Sequence, residues 1–453
     1  MSQKTINCIS QINHKLKPPL VPGLPVLGNA IELTNDSIGF FVKNYQRLGS
    51  IFSIQALNQN YIVLAGPEAN HFMSQVGDDY LSSREIWSKI IPEYGTDVFV
   101  SALEGASHRH LRQVMNRGYS REAILPHLPL LVKTTEQVAD RWQIGKRIKV
   151  IDVMRYLVVE QLGLALAHQP SVDYLHDLRL FFCTNLNVTF KGWPQITQRL
   201  PNYLKAKARV VELGREIIAN HRTHQTSDQE RDFIDDLLAA TDENGQPFAE
   251  EVLVAQAFSI YFAGMETAAN ICTFMLFALL RHPEVLERVT AEVDAVLAEK
   301  PLSASAFREM KSLHGAAMET LRMYPITLAL PRSAKKSFEF AGCSVAEKER
   351  VIVATTVSHF LPQFFPNPYT FDIDRYHEPR NEHQQPGAYA PFGLGDHICL
   401  GKGMAEIQIM TIMATLLSRV RLAIDPPTYK LKTIYNPNPC PKNFWVRLIE
   451  HRQ

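Results

Sequence analysis

Between Ala257 and Leu280 the sequence runs almost entirely apolar, with Glu266 as its only charged side chain. A stretch of this length is long enough to cross a bilayer as a helix. It is equally suited to running through the centre of a large soluble domain, buried on all sides. An acid in mid-span and polar segments on both flanks favour the second reading. A chain that buries such a helix needs several more helices around it.

Composition agrees. Over 453 residues, 46% are hydrophobic and 21% charged, which fits a globular protein with a substantial core able to enclose a large apolar cofactor. A net charge of +1 with 16 His gives no global basic field, so general nucleic-acid binding by counterion release is excluded as a main function. The six cysteines (Cys8, Cys183, Cys272, Cys343, Cys399, Cys440) are scattered with no CxxC pair, as expected of a reducing compartment. The N-terminus, MSQKTINCISQINHKLKPP, is polar with three lysines and no apolar h-region. The expectation is a cytoplasmic, unprocessed protein without a transmembrane anchor.

Residues 1–25 read as a polar, proline-rich arm, because Lys17 to Pro25 contains Pro18, Pro19, Pro22 and Pro25 and cannot be helical. Ile51 to Gln55 and Tyr61 to Leu64 have strand character and are expected to pair, with a helix following from about Pro67. Helical periodicity dominates from roughly 106 to 325, with breaks near Pro126, Gly145, Pro170, Pro194 and Gly245. After Pro325 short apolar runs such as Arg350 to Ala354 indicate strands. His359 to Pro391, with six further prolines, reads as a long ordered loop. Helix resumes after Cys399. With no repeat and no low-complexity linker, residues 1–453 are expected to form a single domain, mainly α with a smaller β portion.

The strongest local signal is the segment Phe392-Gly393-Leu394-Gly395-Asp396-His397-Ile398-Cys399-Leu400-Gly401, an FxxGxxxCxG pattern with an extra Gly after the Phe, where a loop enters a helix. At ordinary abundances its five residues meet this spacing by chance in roughly one such chain in ten thousand. A cysteine at a helix N-terminus is expected to have its pKa lowered by the dipole and by free N–H groups, which makes a thiolate available to a metal. The glycines at 393, 395 and 401 permit tight turning and close approach to a flat ligand. Phe392 can pack on that ligand and His397 can reach an anionic group at its edge. The bland reading is a buried cysteine beside a glycine turn; zinc is disfavoured because no second cysteine lies nearby.

With this loop the sequence resembles the cytochrome P-450 family, as a soluble, bacterial-like member, and the family's other motifs follow in order from about residue 18. The resemblance implies the family's fold, with haem b between a long oxygen-binding helix and the cysteine loop, and Cys399 as the thiolate ligand to iron. Glu319-Thr320-Leu321-Arg322 matches the family's ExxR pair, and Arg375 would complete a buried structural network with Glu319 and Arg322. Glu212 with Arg215 and Glu347 with Arg350 show the same spacing, and any such pair alone is ordinarily a surface ion pair. Ile373 stands where the family often has proline, which leaves that loop's conformation open. Ala263-Gly264-Met265-Glu266-Thr267 matches the oxygen-activation motif. A Thr267 hydroxyl bonded back to the Ala263 carbonyl would leave a polar notch, and Thr267 with Glu266 would relay protons. His108, Arg112 and Arg332 fall where family members bind the haem propionates with charge-assisted donors. His108 and Arg112, four apart, share one helix face.

The implied activity is insertion of one oxygen atom from O2 into an apolar substrate. The 54 residues after Cys399 hold no flavin- or nucleotide-binding segment, so electrons are expected from a separate ferredoxin or flavodoxin and its reductase. Arg109, Arg117, Arg121 and Lys402 are candidates for a basic dock toward that partner, with ordinary surface charge as the alternative. Apolar Thr327 to Leu330, the segment Trp87 to Val100 and the tail near Tyr435 fall where family members contact substrate, which suggests a lipid, terpenoid, steroid or polyketide. Two other classes stay open. A peroxide-driven peroxygenase or isomerase of the same fold commonly lacks the acid and alcohol pair present here. A non-catalytic haem sensor or carrier would not need the relay helix.

Overall fold

The computed structural model describes residues 16–223 and 231–452. The polar start of the chain, residues 1–15 with Cys8, lies outside the described residues.

The long apolar stretch forms the middle of a helix spanning Glu250–Arg281, the central helix below. Glu250 and Glu251 occupy its first turn and Arg281 its last, charges that complement the helix dipole at both ends. It stops at His282, before Pro283. Of its most apolar window, 78% is buried inside the protein, so its apolar faces are satisfied by other helices. Those partners are Val150–Leu166, Pro201–Thr223, Lys311–Met323 and Lys402–Arg419. Together they form a helical core, and the chain is mainly α.

The smaller β portion sits beside it. Its largest sheet has five strands in the order Ile51–Ala56, Gln59–Ala65, Arg350–Ala354, Leu330–Ala334, Leu81–Ser82. The first two form an antiparallel hairpin in which Ile51 faces Leu64, as their alternating pattern suggests. Gln59–Ala65 and Arg350–Ala354 pair in parallel, Ile62 opposite Val351. Leu330–Ala334 runs antiparallel to Arg350–Ala354, which sets Arg332 opposite Val351. A second sheet of three strands joins Arg147–Lys149, Trp445–His451 and Val420–Ile424.

The chain breaks fall at the sequence's punctuation. Pro126 lies in a 3-10 turn, Leu125–His127; Pro194 caps another, Gln195–Arg199; Gly145 and Gly245 have φ of 79° and 77°. From His359 to Pro391 the regular elements are 3-10 turns, among them Ile373–Tyr376 and Glu382–Gln384. The first of these packs on the helix Lys311–Met323 at Gly315, where a Cβ would stand 2.3 Å from the Ile373 carbonyl oxygen. Only glycine allows that approach, and it brings Arg375 to Glu319.

Candidate active site

The cysteine loop is closed by its own backbone. Cys399 N–H donates to Phe392 O at 2.8 Å, Gly393 N–H to Ala390 O at 3.2 Å and Ile398 N–H to Gly395 O at 3.1 Å. Gly393 and Gly395 have φ of 76° and 77°, which disfavours any other residue, and the Asp396 N–H donates to Asp78 Oδ2 at 2.5 Å. Gly401 departs from expectation: its φ is −86° and a Cβ there would meet only Tyr119 at 3.8 Å, so neither backbone nor protein neighbours require glycine.

Cys399 is the one exposed cysteine among the described residues; Cys183 is intermediate and the rest are buried. Its thiol pKa is nonetheless raised, by burial first, with the Gly401 backbone N–H, Arg112 and Lys402 pulling it down and Glu406 pushing it up. This corrects the expectation of a lowered pKa in the free thiol. The helix begins only at Lys402 with Gly401 as its cap, so the sulfur stands outside the first turn, and the dipole's effect falls off quickly with distance. A bound metal deprotonates a coordinating thiol outright.

Beside the loop lies a cluster of donors. His108 is buried, and its ring lies against His397 with centroids 4.1 Å apart and planes tilted by 33°. Burial pushes both imidazoles down, His397 to about 3, helped by His108, Arg332 and Arg112 nearby. Arg112 Nη1 donates to Ile398 O at 2.8 Å and so pins the loop. Arg332 is 4% exposed, with Nη1 bonded to Pro331 O. Its Nε and the Nε2 of His108 have no hydrogen-bond partner among the described residues.

Between Val252 and Leu279 every residue of the central helix is buried except Ser259, Phe262, Ala263, Gly264 and Thr267. Ser259, Ala263 and Thr267 are four apart, with Phe262 and Gly264 on either side of Ala263, and together they form one open stripe. Within it Thr267 Oγ1 donates to Ala263 O at 2.5 Å. Glu266 points elsewhere: its Oε2 accepts from Arg155 Nη2 at 2.7 Å and its Oε1 from Arg179 Nε at 3.1 Å. No hydrogen bond joins Glu266 to Thr267 among the described residues. Nothing in the sequence singled out Arg155 and Arg179.

Glu319, Arg322 and Arg375 come together, all at 0% exposure. Arg322 donates through Nε and Nη2 to the two Glu319 oxygens, each at 2.7 Å. Arg375 Nε donates to Glu319 Oε1 at 3.2 Å, and its Nη1 to Glu382 Oε2 at 2.7 Å. Tyr376 OH completes the carboxylate at 2.6 Å; this tyrosine and Glu382 were not anticipated. By contrast, the side chains of Glu212 and Glu347 are each 56% exposed.

Of the candidate dock, Arg117 is held bidentately by Asp236, both contacts at 2.6 Å, with its side chain half exposed. Lys402 lies over the Phe392 ring at 5.7 Å. Above the open stripe, Trp87 and Tyr94 pack edgewise on Phe262, and Phe99 and Phe182 join them. The Tyr435 carbonyl accepts from Lys191.

A model of the family "Cytochrome P450" matches residues 18–439. The chain belongs to the cytochrome P450 family. Among its curated relatives, a sterol 14alpha-demethylase of Mycolicibacterium vanbaalenii is 27% identical over 88% of this P450 and 90% of the relative. An abscisic acid 8'-hydroxylase 4 of Arabidopsis thaliana is 26% identical over 94% and 90%. Among solved structures, the heme domain of cytochrome P450DA aligns with a TM-score of 0.85 at 22% identity, covering 97% of this chain and 98% of that one. The retinoic acid bound cyanobacterial CYP120A1 aligns at 0.83 and 23%, covering 96% and 99%. This P450 is therefore a haem-dependent monooxygenase that uses O2, an apolar substrate and redox partners.

The residues present fit haem. Its two carboxylates require buried cationic or N–H donors, and the unpartnered Arg332 Nε and His108 Nε2 are such groups. Leaving them unpaired would cost about 1–3 kcal/mol each.

Proposed function

We propose that residues 1–453 form one catalytic domain that binds haem b and inserts one oxygen atom of O2 into a neutral, largely apolar molecule of the lipid, terpenoid, steroid or polyketide type. Electrons arrive from a separate ferredoxin or flavodoxin and its reductase, in the cytoplasm. The observation that carries this reading is the open stripe on an otherwise buried helix: Ser259, Phe262, Ala263, Gly264 and Thr267. It combines an aromatic wall with a single anchored hydroxyl. Relatives named for sterol and abscisic acid chemistry, and a neighbour holding retinoic acid, support an isoprenoid-sized substrate.

Thiolate-ligated haem supplies activation of O2, the thiolate favouring O–O cleavage. Cys399 is the residue that would hold the iron. Arg332, His108, Arg112 and His397 would hold the carboxylates, with Phe392, Ala263 and Gly264 bounding the ring. Thr267 keeps its hydroxyl hydrogen on Ala263 O, so its oxygen is left as an acceptor that can orient one water in the stripe. Glu266, held by Arg155 and Arg179, would pass protons toward that water. Arg179, with a side chain 39% exposed, connects it to solvent. Trp87, Tyr94, Phe99 and Phe262 exclude bulk water and orient an apolar ring system.

The test is titration of the purified haem protein with sterols, retinoids, abscisic acid and polyketides, reading the Soret shift. Turnover of each binder is then followed with ferredoxin- or flavodoxin-based electron supply under labelled O2. One labelled oxygen atom per product is expected. Turnover with hydrogen peroxide alone, and none with either electron donor, would replace this reading with a peroxygenase.

A further inference from the structure

Away from the haem residues, three elements meet at a second cluster of metal-ligating side chains. His168 lies just past the helix Val150–Leu166, His221 near the end of Pro201–Thr223, and Asp232 caps Phe233–Ala239. Asp232 Oδ2 lies 3.0 Å from His221 Nε2 and 3.4 Å from His168 Nδ1. With Asp235 included, one ligand atom from each of the four side chains lies within 4.8 Å of every other.

The two ring nitrogens of His221 both face acceptors. Its Nδ1 faces the Ile217 carbonyl at 2.8 Å and its Nε2 faces the Asp232 carboxylate at 3.0 Å. Both partners are acceptors only, and a neutral imidazole has one N–H. With that proton on Ile217 O, the Nε2 lone pair meets a carboxylate oxygen, which is repulsive unless a positive charge lies between them. A second proton on His221, with His168 neutral and protonated at Nδ1, would satisfy both contacts to Oδ2. A single metal ion in place of those two protons would satisfy them equally and would use the four ligand atoms gathered here. A tetrahedral zinc site with the usual bond lengths has ligand-to-ligand edges of roughly 3.3–3.5 Å, near the two histidine separations from Asp232 Oδ2, 3.0 and 3.4 Å.

The surroundings are those of a supported site. The bond from His221 Nδ1 to Ile217 O fixes the tautomer that leaves Nε2 for metal. Asp232 Oδ1 is held by the N–H groups of Ile234 at 2.8 Å and Asp235 at 3.1 Å, which directs Oδ2 toward the histidines. The Asp232 side chain is 0% exposed and that of His221 5%, while that of His168 is 30% exposed, giving an entry path on one side. His168 has φ of +43°, an uncommon conformation for a non-glycine residue. The His127 ring lies 5.4 Å from that of His168, and Arg117 and Arg231 are engaged by Asp236.

We propose that His168, His221 and Asp232 bind one divalent transition-metal cation of the zinc class, with Asp235 in reach and solvent entering past His168. The ion would cross-link three elements remote in sequence and independent of the haem.

The test uses chelator-treated haem protein dialysed against zinc chloride at micromolar free zinc, with zinc and iron counted by elemental mass spectrometry. One zinc per chain and a raised melting temperature are expected. His168→Gln and His221→Gln should each weaken zinc binding about tenfold or more at unchanged Soret absorbance, whereas exposed His176→Gln should not. Should His221→Gln fail to fold, the more exposed His168→Gln decides alone. Absence of stoichiometric zinc in the natural protein overturns the proposal and leaves His221 as an imidazolium paired with Asp232. Equal zinc binding in natural protein and His168→Gln overturns it as well.

Discussion

Glu266 is bound to Arg155 through a 2.7 Å contact, while the Thr267 hydroxyl that follows it in sequence bonds to the Ala263 carbonyl. The acid and the alcohol are neighbours along the chain with separate partners, and in the proposed relay they would act in series. Thr267→Ala should keep substrate affinity and the substrate-induced Soret shift while diverting reducing equivalents to hydrogen peroxide. Glu266→Gln, which removes the proton carrier, should slow turnover as well as lower product per reduced nicotinamide consumed. Unchanged coupling in both variants would reduce the motif to helix packing.

Arg322→Ala strips Glu319 of two of its charged contacts at a fully buried site. Removing one partner of such a set commonly costs about 3–5 kcal/mol. Little soluble haem protein is expected, with a lowered melting temperature in what remains. Glu212→Ala, with the same local spacing but an exposed side chain, should be nearly silent. Normal haem content in Arg322→Ala would refute the structural role.

Cys399→Ser should abolish the thiolate-type Soret band of the reduced carbon monoxide adduct. Cys183→Ser and Cys440→Ser should leave it intact, since neither cysteine stands in the glycine loop that Arg112 pins. A thiolate-type band surviving in Cys399→Ser would reassign the ligand.

His359 is fully buried between the Arg322 carbonyl, 3.2 Å from Nδ1, and the Ala390 N–H, 2.9 Å from Nε2. One contact needs a proton on the ring and the other forbids one, so the neutral form is favoured and burial pushes the pKa down to about 3. The unfolded chain, with an ordinary histidine pKa of about 6.5, binds a proton that the folded protein refuses. Stability from this group is present in full above pH 6.5 and is lost as pH falls toward 3, by up to about 1.4 kcal/mol per pH unit. Urea unfolding midpoints between pH 6.5 and 4 should fall more steeply for the natural protein than for His359→Gln. Equal slopes would show that His359 does not carry the effect.

What was legible in the sequence is what short spacing or a specific motif encodes. The Thr267 bond to Ala263 follows from a four-residue step on a helix, and Glu319 with Arg322 from a three-residue step. The glycines at 393 and 395 were correctly read from the loop pattern. The partners of Glu266 were hidden because Arg155 and Arg179 are separated from it by 111 and 87 residues, and nothing local marks an arginine that a remote helix will bury. Arg117 looked like a free surface cation for the same reason, since Asp236 lies 119 residues away. The thiol of Cys399 was misjudged because desolvation depends on the packed protein around it, whereas the helix start is visible in the chain.

Arg332 lies on a strand whose neighbour, Arg350–Ala354, pairs in parallel with Gln59–Ala65. During synthesis the hairpin of residues 51–65 is complete long before its third strand exists. At translation rates of about 5–20 residues per second, its inner edge waits roughly 15–60 s for residue 354. That edge ends in a buried apolar run, Ile62 to Ala65, of the kind that recruits chaperones or mispairs. Arg332 emerges only near the end of this wait and the thiolate residue, Cys399, after it, so the nascent chain has no complete pocket to offer until then, and haem loading is a property of the finished polypeptide.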